Sequence, residues 1–188
     1  MRHLRLILST AALIAPLPAI AATPVRCQMA KMLELPVTMN GRSPMVLAKF
    51  GDKDARFILD SGAFYSTISR ANAAEIGERV QALPPTFRIT GIGGDSSAGF
   101  ITARNFTLGG VVVPKVDFFV AGSDTGTAGL LGQNILGLAD VEYDLPHGVV
   151  RLMKTTGCAK INLAYWAGDK PATMVALAAP GPGPWKPH

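Results

Sequence analysis

From Leu35 to Met153 the chain alternates short apolar segments of β type with turns rich in glycine and proline, and this even spacing constrains its fold most. Strands are expected at Leu35–Asn40, Pro44–Phe50 and Ala55–Asp60. Gly41-Arg42-Ser43 and Gly51-Asp52-Lys53-Asp54 supply the turns between them. Phe87–Ile92, Gly99–Leu108 and Val111–Val120 follow, the last two meeting at Gly109-Gly110. Val141–Leu145 and Val149–Met153 then form a hairpin around Pro146-His147-Gly148. Helical signals are few: Ser69 can cap a helix over Arg70–Ile76 that Gly77 ends, and Asn134–Leu138 has the length of one turn. The 188 residues, 48% hydrophobic, make one domain with a real core and leave no room for two large lobes. The expected fold class is all-β, a small closed antiparallel barrel with one or two short helices, not a parallel βα sheet.

The ends carry different signals. Met1–Arg5 is a short basic head, residues 6–20 are an apolar stretch, and Ala19-Ile20-Ala21 has the small-x-small form of a cleavage site. A transmembrane anchor is the competing reading, but Pro16 and Pro18 interrupt a run that is already short for a span. Residues 1–22 are therefore expected to be a signal peptide, residues 27–160 the folded domain, and 161–188 a C-terminal tail or linker. Ala179–His188, with its alternating proline and glycine, cannot hold regular structure. Export implies a periplasmic or secreted protein without a stable membrane anchor; Val25-Arg26 before Cys27 is the wrong context for a lipid. Removing Arg2 and Arg5 with the leader takes the net charge from +5 to +3, spread thinly. No basic run interleaved with aromatics appears, so nucleic acid is not an expected partner. The two cysteines, Cys27 and Cys158, flank the domain, and in an oxidising compartment such a pair usually forms a disulfide. The loop it closes, about 130 residues, is worth roughly 4–5 kcal/mol in the chain-entropy account. A metal or redox role would need Cys-x-x-Cys or a nearby histidine, and neither is present.

The inventory of reactive side chains is short. Of three histidines, His3 lies in the leader, His188 at the terminus, and His147 in a Pro-His-Gly turn, so nucleophilic triads have little to draw on. Zinc ligands are lacking, and no metal or cofactor is expected. Gly91-Ile92-Gly93-Gly94 resembles part of a dinucleotide fingerprint, but Ser96 fills the sixth position and strand residues follow where a helix should begin. Asp60 stands out. It ends the apolar run Phe57-Ile58-Leu59, just before Ser61-Gly62-Ala63 turns the chain, and a carboxylate drawn into such a place must be hydrogen-bonded or share a proton. Taken alone, Asp-Ser-Gly is also ordinary turn chemistry.

The company that this tripeptide keeps changes its meaning. Phe57-Ile58-Leu59-Asp60-Ser61-Gly62-Ala63 resembles the active-site signature of the retropepsin-like aspartic proteases. Gly91-Ile92-Gly93-Gly94, about thirty residues on, resembles the family's flap tip. Gly129-Leu130-Leu131-Gly132-Gln133-Asn134-Ile135-Leu136 resembles the segment and short helix that brace the active-site loop. The resemblance spans about Leu33 to Met153. Asp124-Thr125-Gly126 spells the tripeptide again, but Ala121-Gly122-Ser123 precedes it in place of an apolar strand, so it gets no catalytic role.

The resemblance implies an aspartic endopeptidase acting on extended polypeptide. Two aspartates about 3 Å apart share one proton; the ionised member activates water and the protonated one polarises the scissile carbonyl. This chain brings one such residue, so the second Asp60 would come from a homodimer, or its counterpart from a second retropepsin-like lobe. Ser61 would hydrogen-bond across the pair, Gly62 would let the backbone approach, and Ala63, Gly91, Ile92, Gly93 and Gly94 would line and cover the substrate. In viral relatives the termini interleave into a dimer sheet, whereas Tyr165-Trp166 and the tail show no clear strand to donate. The alternative of another class is a catalytically silent peptide-binding or interaction module of the cell envelope.

Overall fold

The protein is described by a computed structural model covering residues 26–84, 86–91, 94–97, 99–121, 126–158 and 161–176. The expected signal peptide, the proline-glycine tail, the expected flap-tip residues Ile92 and Gly93, and Asp124 lie outside the described residues. Among the described residues the chain is all-β with two short α-helices, as its turn spacing suggests. In order come β1 (Gln28–Pro36), β2 (Thr38–Asn40), β3 (Ser43–Phe50), β4 (Lys53–Leu59) and β5 (Thr67–Ile68). Then follow α1 (Arg70–Glu75), β6 (Gln81–Ala82), β7 (Arg88–Gly91), β8 (Gly94–Ser97), β9 (Gly99–Ala103) and β10 (Phe106–Leu108). The last elements are β11 (Val111–Val113), β12 (Val116–Val120), β13 (Gly129–Leu131), α2 (Gln133–Leu136), β14 (Asp140–Asp144) and β15 (Val149–Thr156).

Side-chain alternation explains the layering. Ala55, Phe57 and Leu59 of β4 are buried between more exposed neighbours, and Ile101 and Ala103 of β9 and Phe106 and Leu108 of β10 repeat the pattern. These inward faces converge on a cluster of Phe50, Phe57, Phe106 and Phe118, with ring centroids 5.2–6.1 Å apart. Tilted, edge-on and stacked pairs at such distances add to simple area burial. Four different strands contribute one ring each, so this cluster ties the sheet across its width.

The expected closed antiparallel barrel is corrected on two points. The main sheet runs β11-β10-β3-β4-β13-β5-β12-β9-β6, with β2 added on β3, and among the described residues its ends are not paired to each other. Those end strands are two or three residues long and mostly exposed, too short to bridge the gap. Its interior is also mixed: β13 runs parallel to β4, and β12 runs parallel to β5.

Several expected strands are subdivided. Gly99–Leu108 breaks at Arg104-Asn105, where the Asn105 carbonyl accepts from the Gly51 N–H at 2.9 Å. Val111–Val120 breaks at Pro114, which has no N–H for a ladder. Leu35–Asn40 breaks at Val37, whose N–H turns aside to the Gly148 carbonyl at 2.8 Å. The Asp60 end of Ala55–Asp60 lies beyond β4, and Asn134–Leu138 is helical only as Gln133–Leu136. Ser69 does cap α1, accepting from the Asn72 N–H at 3.1 Å.

A second sheet, in the order β1-β15-β14, brings the two ends of the domain together. β1 and β15 pair from Gln28↔Thr156 to Pro36↔Val149. The Cys27–Cys158 disulfide sits just beyond the first of these pairs, with Cα atoms 4.4 Å apart. Arg151 of β15 gathers Glu34 of β1 with Glu142 and Asp144 of β14, at 2.9, 2.9 and 3.0 Å. Lys31, then Arg151, holds the Glu34 carboxyl below its ordinary range; His147, then Arg151, does the same for Asp144.

Candidate active site

The chain leaves β4 at Leu59, turns through Asp60-Ser61-Gly62-Ala63, and returns as β5. β13 lies between these two strands, parallel to β4 and antiparallel to β5. The sheet therefore clamps both stems of the turn on one inserted strand. The Asp60 N–H donates to the Leu131 carbonyl at 3.0 Å, extending the β4–β13 ladder one step beyond the strand. Asp60 is half-buried, whereas Ser61 and Gly62 are exposed. The Gly62 N–H donates to Asp60 Oδ1 at 2.9 Å, and a Cβ on Gly62 would sit 3.3 Å from that oxygen. The carboxylate is thus oriented by its own turn and remains partly exposed.

The far side of the turn is fastened to α2. Ala63 and Phe64 carbonyls accept from the Gln133 and Asn134 N–H groups at 2.8 and 3.2 Å. The Gln133 side-chain amide donates to the Ser61 carbonyl at 2.8 Å. Asn134 does most. Its Oδ1 accepts from the Ser66 N–H at 2.8 Å and from Ser66 Oγ at 2.7 Å, while its Nδ2 donates to the Asp117 carbonyl at 3.0 Å. Ser66 is fully buried, and its Oγ in turn accepts from the Gly132 N–H at 3.0 Å. Only glycine fits at 132, because a Cβ would stand 2.7 Å from the Ala63 carbonyl oxygen and 2.9 Å from that of Tyr65.

The sequence motifs thus meet unequally. Asp60, Ser61, Gly62 and Ala63 share one turn with the Gly129–Leu136 segment behind it. Gly91 and Gly94 close a separate hairpin, β7–β8, in which they are the last paired residues. Cys27 and Cys158 belong to the β1–β15 end. The sequence alone does not mark Ser66, Gln133, Gly132 or Tyr143 as individual site residues. Asn134 and Gln133 lay within a recognised segment, but Ser66 follows Phe64-Tyr65 with nothing in the chain to mark it.

Tyr143 is the least expected neighbour. Among the described residues its buried hydroxyl finds no hydrogen-bond partner. Burial, and next the negative charge of Asp60, push its phenol above the ordinary tyrosine range. Behind the turn, an apolar cavity of about 470 Å³ is lined by residues including Tyr65, Leu83, Phe100, Phe119, Ile135 and Leu138. Asp60 is not among its lining residues.

Comparison with known proteins agrees with the motif pattern. Residues 46–135 match the family model described as aspartyl protease. A retropepsin-like aspartic protease from Rickettsia conorii is 16% identical with a TM-score of 0.49, over 72% of this chain and 99% of that one. EIAV protease, solved in complex with the inhibitor HBY-793, is 23% identical with a TM-score of 0.44, over 54% of this chain and 92% of that one. No curated protein sequence matches the chain.

Proposed function

We propose that this chain, which matches the aspartyl protease family over residues 46–135, hydrolyses peptide bonds as a homodimer that pairs one Asp60 from each copy. The observation that carries this reading is the Asp60-Ser61-Gly62 turn, pinned at both stems by β13 and braced from behind by Asn134 and Gln133. A turn that merely connects two strands needs no such bracing. Ser61 and Gly62 are exposed, as groups awaiting an opposing turn would be.

Two opposed Asp60 carboxylates would share one proton, because like charges at such a distance resist ionising together. The ionised carboxylate takes a proton from the attacking water. Its partner donates a hydrogen bond to the peptide carbonyl and later delivers a proton to the leaving amine. Activity is then greatest at acidic pH, where the pair holds its proton, and falls as that proton is lost. The β7–β8 hairpin, with Gly91 and Gly94 as its last paired residues, is suited to cover an extended polypeptide. The disulfide fits an oxidising, periplasmic or extracellular setting, consistent with residues 1–22 acting as a signal peptide.

Digestion of a peptide library by wild type and Asp60→Asn across pH tests the proposal. Wild type should cleave at acidic pH and Asp60→Asn should not, since an amide can neither take nor give the proton. Equal cleavage by both would refute the role of Asp60. No cleavage by a confirmed dimer would favour a peptide-binding module instead.

A further inference from the structure

Between Ala82 of β6 and Gly99 of β9, which pair with each other, the chain leaves the main sheet and forms the β7–β8 hairpin. Among the described residues β7 and β8 pair only with one another, and a lone two-stranded hairpin is marginally stable in water. Its placement therefore depends on what its foot touches. Phe87, just before β7, is the one aromatic residue between Ala82 and Gly99. Its N–H donates to the Pro84 carbonyl at 2.8 Å, closing a turn at the foot. Its ring stacks on Phe119 of β12, with centroids 5.4 Å apart and planes 19° apart. Phe119 is buried, and Tyr65 meets it edge-on at 4.9 Å and 82°. Tyr65 follows Ala63 of the Asp60 turn by two residues. The three rings thus form one continuous contact from the turn to the foot of the hairpin. Beside them lies the apolar cavity of about 470 Å³, lined by Leu83 before the hairpin and Phe100 after it. That side of the foot is hollow, so the stack on Phe119 carries more of the contact.

We propose that Phe87 is a positioning residue: stacked on Phe119, and through it on Tyr65, it seats the foot of the β7–β8 hairpin against the wall that carries the Asp60 turn. It thereby sets where the hairpin stands over a bound polypeptide. This rests on the reading of the turn as catalytic and of the hairpin as its cover. Stacked and edge-on ring pairs attract beyond simple area burial, and their geometry is specific. Leucine at 87 would cover much of the same surface but has no flat face to lay on Phe119. Tyrosine would keep that face. A hairpin already seated when the polypeptide arrives spares the ordering that binding would otherwise cost. Its contacts are alike before and in the transition state, so their loss falls on KM and not on kcat.

The test compares the full chain with Phe87→Leu and Phe87→Tyr. Amide hydrogen exchange of β3, β7 and β8 is followed without ligand. Binding of a statine-containing peptide is measured by calorimetry, and turnover by peptide hydrolysis at acidic pH. Phe87→Leu should speed exchange of β7 and β8 about threefold to tenfold, the scale of one ring pair, and leave β3 unchanged. It should weaken peptide binding and raise KM by a similar factor, while kcat changes less than about twofold. Phe87→Tyr should behave as wild type. Unchanged exchange of β7 and β8 in Phe87→Leu, faster exchange throughout the domain, a loss in kcat without one in KM, or a Phe87→Tyr variant as impaired as Phe87→Leu would overturn the proposal. If wild type neither binds nor cleaves, the proteolytic reading falls, and the exchange of β7 and β8 alone decides whether Phe87 seats the hairpin.

Discussion

Asn134→Ala removes the amide that fastens the Asp60 turn to α2, and its cost can be built up from three contacts. Two donors of Ser66 lose their acceptor, at 2.8 and 2.7 Å, and the Asp117 carbonyl loses a donor at 3.0 Å. A neutral hydrogen bond contributes about 1 kcal/mol net, and a buried donor left unpaired costs about 1–3 kcal/mol. Ser66 is fully buried, so its backbone N–H falls under the larger figure, whereas water can reach the Asp117 carbonyl. The sum is about 3–4 kcal/mol, or a fall in melting temperature of roughly 10–15 °C for a domain of this size. Asn134→Asp keeps an acceptor for Ser66 but sets a carboxylate against the Asp117 carbonyl, so its loss should be intermediate. Urea unfolding followed by circular dichroism gives the free energies. The Asn134→Ala, Ser66→Ala and double variants should be strongly non-additive, because they share one bond. A loss below about 1 kcal/mol for Asn134→Ala would refute the bracing account.

Three further outcomes follow from other parts of the molecule. Gly132→Ala should destabilise by about 1–3 kcal/mol and reduce peptide cleavage, since the new methyl meets the Ala63 and Tyr65 carbonyls; a thermal melt unchanged from wild type contradicts this. Reducing the Cys27–Cys158 disulfide should cost about 2–5 kcal/mol in denaturant titration and expose amides of β1 to exchange first; equal protection of β1 with and without reductant contradicts it. The Asp144 carboxyl is depressed by His147 and Arg151, so its contribution is present above the unfolded value near pH 4 and is lost as pH falls through the lower folded value. Acid unfolding of Asp144→Asn should therefore be less steep below about pH 4 than that of wild type, and identical acid limbs would show the contact to be idle.

The sharp Asp60-Ser61-Gly62 turn, the segment behind it and the all-β class were legible because each depends on local chemistry. Phe57–Leu59 is an uninterrupted apolar run, and the glycine at 132 answers a steric demand that only glycine meets. What the chain concealed is long-range. β13 is three residues long, and nothing in Gly129-Leu130-Leu131 says that it will insert between β4 and β5 in parallel to one of them. β1 was missed because Gln28–Glu34 mixes lysine, glutamate and methionine, and an irregularity between Lys31 and Leu33 breaks the two-residue period. The acids of β14 are likewise explained only by Arg151 across the sheet.

The central claim is that two copies of Asp60 form one active site, and mixing active with inactive chains tests it most directly. Wild type and Asp60→Asn are combined in equal amounts, allowed to exchange subunits, and assayed for peptide cleavage at acidic pH. If only pairs with two intact carboxylates work, random association leaves activity per total chain at about a quarter of that of wild type alone. Activity at about half, the value for chains that act independently, would contradict the shared site.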